Sequence, residues 1–171
     1  LKEYVLWAGV LGRCCNTMFK QKRTTYKDCT ISDNFKSYKY FREWCNKQIG
    51  FGNEGWHLDK DILVKCNKLY GETTCCFVPH DINTLFVKCD ANRGKYPIGV
   101  YFETARNRYT AKLKRYGVSV LLGRFATPEE AFYAYKEAKE SYIKEVADKW
   151  KGIIDARVYE ALVNYEVGID D

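Results

Sequence analysis

His57, Asp59, Lys60 and Asp61 fall within five consecutive positions, and His80 and Asn83 follow them further along the chain. Carboxylates two residues apart on an extended segment point to one side, so Asp59 and Asp61 together could hold Mg2+ through their oxygens and retained waters. His57 shares that side, and an imidazole accepts a proton near neutral pH. The plain alternative is that Asp59 and Asp61 are ordinary surface carboxylates and His57 a rim residue. Cys76 with His80 could form a thiol–imidazole nucleophilic pair, although eight cysteines make such proximity commonplace. There is no glycine-rich phosphate loop and no Gly-x-Ser-x-Gly turn, which excludes the chemistries those motifs support.

A second set of residues carries charge rather than a reaction. The net charge is +6, and its distribution is uneven. From Ala91 to Ala126 stand Arg93, Lys95, Arg106, Arg108, Lys112, Lys114, Arg115 and Arg124 against the single acid Glu103, so this stretch is +7 and the rest of the chain −1. Such a stretch is suited to an anionic partner, a nucleic acid or an acidic protein. The 14 tyrosines could stack on bases, but most fall at core-facing helical positions.

The elements that must position these residues follow from periodicity. Apolar residues recur at helical spacing over residues 4–18 and again over 34–48, where Ser32 or Asp33 caps the helix. Gly50, Gly52 and Gly55 mark a connection. His57–Val64 reads as a strand, Lys65–Gly71 as a turn and Cys75–Val78 as a second strand, with Pro79 opening a helix through Phe86. A polar link over Asp90–Pro97 separates two domains, 1–90 and 91–171, the second ending in a C-terminal helical extension. Beyond the link, Gly99–Glu103 and Arg108–Lys114 alternate as strands, and Ser119–Phe125 follows as a third after the turn at Gly117. Thr127-Pro128-Glu129-Glu130 is a capping box with proline at the first helical position, opening a helix to Trp150. Its inner stripe is Ala131, Ala134, Tyr135, Ala138, Tyr142 and Val146. One face of the three strands packs on this helix. The other is left open and basic, and is narrow enough for the major groove of B-DNA but not that of RNA.

Residues Gly99-Val100, Arg108 to Leu113, Leu122 to Phe125, Thr127 to Ala131 and Ala134-Tyr135 together resemble the AP2 DNA-binding domain. The resemblance covers about a third of the chain. It implies double-stranded DNA as partner and an interface of Tyr101, Glu103, Arg106, Arg108, Thr110, Lys112, Lys114, Ser119, Leu121 and Arg124. Plant members carry Arg and Trp where this chain has Tyr101, Ser119 and Leu121, so their base preference does not transfer. In the first half, Gly55 to Asp61, Cys76 to Pro79 and Asn83 resemble the HNH-type nuclease domain that phage proteins join to an AP2 domain. That resemblance implies a strand–turn–strand–helix unit around one divalent cation, Mg2+ or another, with Asp59 and Asn83 as ligands. A histidine following the Asp would be the base that deprotonates water. Lys60 occupies that position, and Thr74 stands near the place of the asparagine that orients the base.

Three readings of the first half therefore stand side by side. It is a metal-dependent DNA endonuclease in which His57 or His80 replaces the base. It is a decayed hairpin that clamps DNA, with Lys60 on a phosphate, in a regulatory or architectural protein. Or its polar residues are plain surface. The expected fold class is α+β: N-terminal helices with a degenerate HNH-like hairpin and helix, then an AP2-like three-stranded antiparallel sheet on one helix. With 46% hydrophobic residues in 171, a packed core is expected rather than disorder. The cysteines lack the tight spacing of a zinc site, so no structural zinc is expected. The N-terminal residues do not read as a signal peptide, and no stretch reads as a membrane span. Reduced thiols in a cytoplasm, that of the host if phage-encoded, are the expectation. Nothing in the sequence indicates an oligomeric state.

Overall fold

The computed structural model describes residues 2–86, 95–169 and 171. The chain is mixed α+β and divides into two compact units, Leu1–Thr84 with Trp150–Ala161, and Leu85–Lys149 with Leu162–Asp171. The domain boundary expected at 90/91 lies outside the described residues. Segment 150–161, expected with the second half, belongs to the first unit.

The first unit opens with α1 (Lys2–Cys15) and α2 (Thr17–Lys22). The single helix expected over 4–18 is interrupted at Asn16, whose side chain accepts from the Phe19 N–H at 3.0 Å and so caps a new helix. A two-residue strand β1 (Thr30–Ile31) follows, then α3 (Asp33–Lys36) and α4 (Tyr38–Cys45). Ser32 does cap α3, but Ser37 breaks the expected 34–48 helix by taking extended backbone angles and capping α4. Strand β2 (Trp56–Asp59) stops short of the expected Val64. Strand β3 (Leu69–Tyr70) lies within the expected turn and pairs in parallel with β1. Strand β4 (Cys76–Pro79) pairs antiparallel with β2, and α5 (His80–Thr84) follows it directly. Phe35, Phe41, Trp44, Cys45, Cys75 and Phe77 form the centre of this unit's core, and the rings of Phe35 and Trp44 meet at 4.8 Å.

The second unit is built on β5 (Val100–Glu103), β6 (Arg108–Arg115) and β7 (Val118–Phe125), an antiparallel sheet in the order β5-β6-β7. Helix α6 (Pro128–Lys149) packs against all three strands. Its start is the expected capping box: the Glu130 N–H donates to Thr127 Oγ1 at 3.2 Å, and Glu130 Oε2 accepts from the Thr127 N–H at 3.2 Å. Ala131, Tyr135, Tyr142 and Val146 of the expected stripe are buried, and Phe132, Ile143 and Ala147 widen it. Gly99 takes a φ of +76°, and a Cβ there would overlap the Tyr135 ring, so only glycine lets the helix lie this close. Helix α7 (Ala156–Val163) completes the chain's elements and lies in the segment where a C-terminal helical extension is expected. No helix among the described residues is long and apolar enough to cross a membrane.

Candidate functional sites

In the second unit, cross-strand register decides which side chains share the face away from α6. Tyr101 opposes Thr110, which opposes Arg124; Glu103 opposes Arg108; Lys112 opposes Leu121; Lys114 opposes Ser119. Directly opposed residues point the same way, so these nine lie on one face. Strict alternation would not place Ser119 and Leu121 with Arg124. The register shifts between Ala111 and Lys112, leaving Leu122 without a cross-strand partner, and this bulge turns Arg124 onto their face. Val100 and Ala111, both fully buried, and Leu113 point to the helix instead.

Most of the open face is accessible: Tyr101 and Leu121 are each 44% exposed. Thr110 is the exception, at 3% exposure, with its hydroxyl donating to the Tyr101 carbonyl at 3.2 Å. It braces β5 against β6 and is not available for the DNA contact expected of it. Arg106 is not on a strand but in the turn after β5. The charges divide into two groups. Glu103 is held below the usual carboxylate range by hydrogen bonds from Arg124, whose Nε donates at 2.8 Å, and from Arg106. Arg115 pairs with Glu145 of α6. Arg108, Lys112 and Lys114 are exposed and make no ion pair among the described residues, and Lys112 Nζ sits 5.9 Å from the centre of the Tyr101 ring. Three cations without an ion pair among the described residues thus stand in a row along β6.

In the first unit, β2, β4 and α5 form a strand–strand–helix unit. Asp59 ends β2, and its Oδ1 accepts from the N–H groups of Asp61 at 2.7 Å and Ile62 at 2.9 Å, folding the loop that follows. Burial pushes its carboxyl above the usual range. Lys60 turns inward. It is 7% exposed, its Nζ donates to Asp61 Oδ1 at 2.5 Å and to the Asn67 carbonyl at 2.8 Å, and it lies 5.7 Å from the Tyr70 ring centre. This inward placement does not present Lys60 to solvent as the clamping reading expects. Buried and bonded to Asp61 and to the Asn67 carbonyl, Lys60 holds the 60–70 loop together rather than facing solvent. Thr74, expected near the base-orienting position, is likewise structural: its hydroxyl donates to the Leu69 carbonyl at 2.8 Å.

The oxygen donors fit a hard cation poorly. Asp59 has one oxygen committed to the backbone, and Asp61 has one taken by Lys60. Asn83 is half-buried on α5. Among the described residues no three His, Cys, Asp or Glu side chains converge into a metal cage. The histidines behave differently. Both are exposed, and their ring centres are 5.4 Å apart with planes tilted by 59°. Neither chain spacing nor strand pattern indicates this pairing; the β2–β4 ladder produces it. Cys76, opposite Asp59, is buried and its thiol is pushed up by desolvation, which makes it a core residue rather than a nucleophile for His80. The start of α5 is fixed from two sides. The His80 N–H donates to the Gly55 carbonyl at 2.9 Å, and Trp150 Nε1 donates to Asp81 Oδ2 at 2.9 Å.

Comparison with protein-family models, curated proteins and solved structures finds no match to this chain.

Proposed function

We propose that this protein binds double-stranded DNA with the open face of the β5–β7 sheet. The observation that carries the reading is the row Arg108, Lys112 and Lys114, three exposed cations on one face of one strand that make no ion pair among the described residues, while α6 covers the opposite face. Phosphate binding requires such charges, since each cation that meets a phosphate releases condensed counterions. Tyr101 and Leu121 supply accessible apolar surface among them for contact with base edges. The spaced motifs resembling the AP2 domain give the same reading from sequence. The test is fluorescence anisotropy with a labelled DNA duplex, an RNA duplex of the same sequence and an acidic polypeptide as competitors. Duplex DNA should bind and be displaced only weakly by the other two. Displacement by the acidic polypeptide at equal concentration would favour a protein partner instead.

One observation favours a second reading of the first unit, as a divalent-cation-dependent endonuclease of the HNH type. The order β2–β4–α5 is that of the family's strand–strand–helix unit, and two exposed imidazoles stand at its surface. With Lys60 engaged, His57 or His80 would have to supply the base, and Asp59 and Asn83 are the oxygen donors of the family's pattern, although Asp59 has one oxygen committed to the backbone. Incubation with supercoiled plasmid and Mg2+ or Mn2+, beside Asp59→Ala, decides between a hydrolase and a binding protein. Nicking that the variant loses supports the hydrolase; intact plasmid with both supports binding alone.

A further inference from the structure

We infer that His57 and His80 form a two-imidazole chelating site for a divalent transition ion of borderline softness, of the class of Zn2+, Ni2+ and Co2+. This goes beyond the DNA-binding reading and does not depend on it.

An ion ~2.1 Å from one nitrogen of each ring lies ~3.2 Å from each ring centre, and a near-tetrahedral angle between the two bonds sets the centres ~5.2 Å apart. The observed separation is 5.4 Å. Stacked imidazoles would lie closer and parallel, whereas these planes are tilted by 59°. Neither ring is buried, so each can turn a nitrogen toward a common ion at little cost. The backbone beneath them is fixed. Trp56 pairs with Pro79 and His57 with Val78 across the ladder, and the His80 N–H is bonded to Gly55. Two imidazoles on a rigid frame bind the second donor intramolecularly, which raises affinity by about 10²–10⁴ over a single histidine. Imidazole nitrogens select the borderline ions over Mg2+, which takes oxygen donors. The remaining coordination positions face solvent and take water. An imidazole bound to an ion is no longer a proton acceptor, so such an ion at this pair would suppress any Mg2+-dependent nicking that used either histidine as base.

The chain has two histidines, so its proton spectrum carries two sets of imidazole resonances, and a titration with paramagnetic Ni2+ reads both. The expected result is that both sets broaden together at substoichiometric Ni2+ and recover on adding EDTA. In His57→Gln or His80→Gln, the remaining imidazole should need about a hundredfold more Ni2+. Circular dichroism confirms that each variant folds, as exposed positions should allow. The inference is overturned if the two rings broaden at different Ni2+ concentrations, if either variant responds as the wild type does, or if Ni2+ binds while both rings stay sharp, which would place the ion on thiols.

Discussion

Replacing Lys112 and Lys114 together by glutamine removes two of the three exposed cations on the β6 row. Both side chains are exposed and neither is ion-paired among the described residues; the Lys112 ammonium gives up only its approach to the Tyr101 ring at 5.9 Å. Folding stability should therefore change by no more than about 0.5 kcal/mol. The effect on DNA binding follows from counterion release. If each lysine meets one phosphate, the slope of log affinity against log salt becomes shallower by about 0.9 per lysine, about 1.8 in all. Over a fourfold rise in salt, the advantage of the wild type over the variant then shrinks by about twelvefold. Anisotropy titrations of one duplex at four salt concentrations measure both slopes, and thermal unfolding confirms that the variant is folded. Arg115→Gln is the control, because Arg115 is engaged with Glu145 and should leave the slope nearly unchanged. A double variant with wild-type affinity and slope would refute the assignment of this face.

Three further outcomes are expected. Gly99→Ala should lower unfolding free energy by upwards of about 3 kcal/mol, because it strains a positive φ and drives a Cβ into the Tyr135 ring; a shift in urea midpoint of only a few tenths of a kcal/mol would contradict this. Lys60→Met should cost about 1–3 kcal/mol by leaving the Asn67 carbonyl unpaired, and should leave DNA affinity unchanged; lost affinity in a folded variant would restore a phosphate contact to Lys60. Lys139, whose Nζ donates to the Leu85 carbonyl at 2.7 Å, is held down by burial from the ordinary 10.5 to about 8. Folding thus disfavours its charged form, and the penalty is full below pH 8 and lifts as pH rises toward 10.5. Denaturation across that range should show the wild type gaining stability relative to Lys139→Met, and a difference independent of pH would contradict the burial.

The parts of this chain that are legible in its sequence are those specified locally. The capping box at Thr127–Glu130 needs only residues three apart, and the alternation in β5 and β6 is visible within each strand. The helix breaks are not legible, because Asn16 and Ser37 act through single side-chain caps inside patterns that otherwise continue. Strands β1 and β3 are two residues each and exist through a pairing between positions 30 and 69, which no local window contains. The open face is legible as a set of residues, yet the bulge at Leu122 that brings Arg124 into it is not, nor is the burial of Thr110. In the first unit, Lys60 is conspicuous for its position after Asp59. Its partners, the Asn67 carbonyl and the Tyr70 ring, are placed by the 60–70 loop, whose path no local pattern dictates. The His57–His80 pair is hidden for the same reason, since twenty-three positions separate residues that one ladder joins.

The most direct measurement of the DNA-binding claim is a map of backbone amide shifts in the labelled protein as a short DNA duplex is added to saturation. Perturbations should concentrate on Tyr101, Arg108, Lys112, Lys114, Ser119 and Leu121, the open face of β5–β7. Perturbations confined to residues 2–84, or none at saturating duplex, would contradict the account.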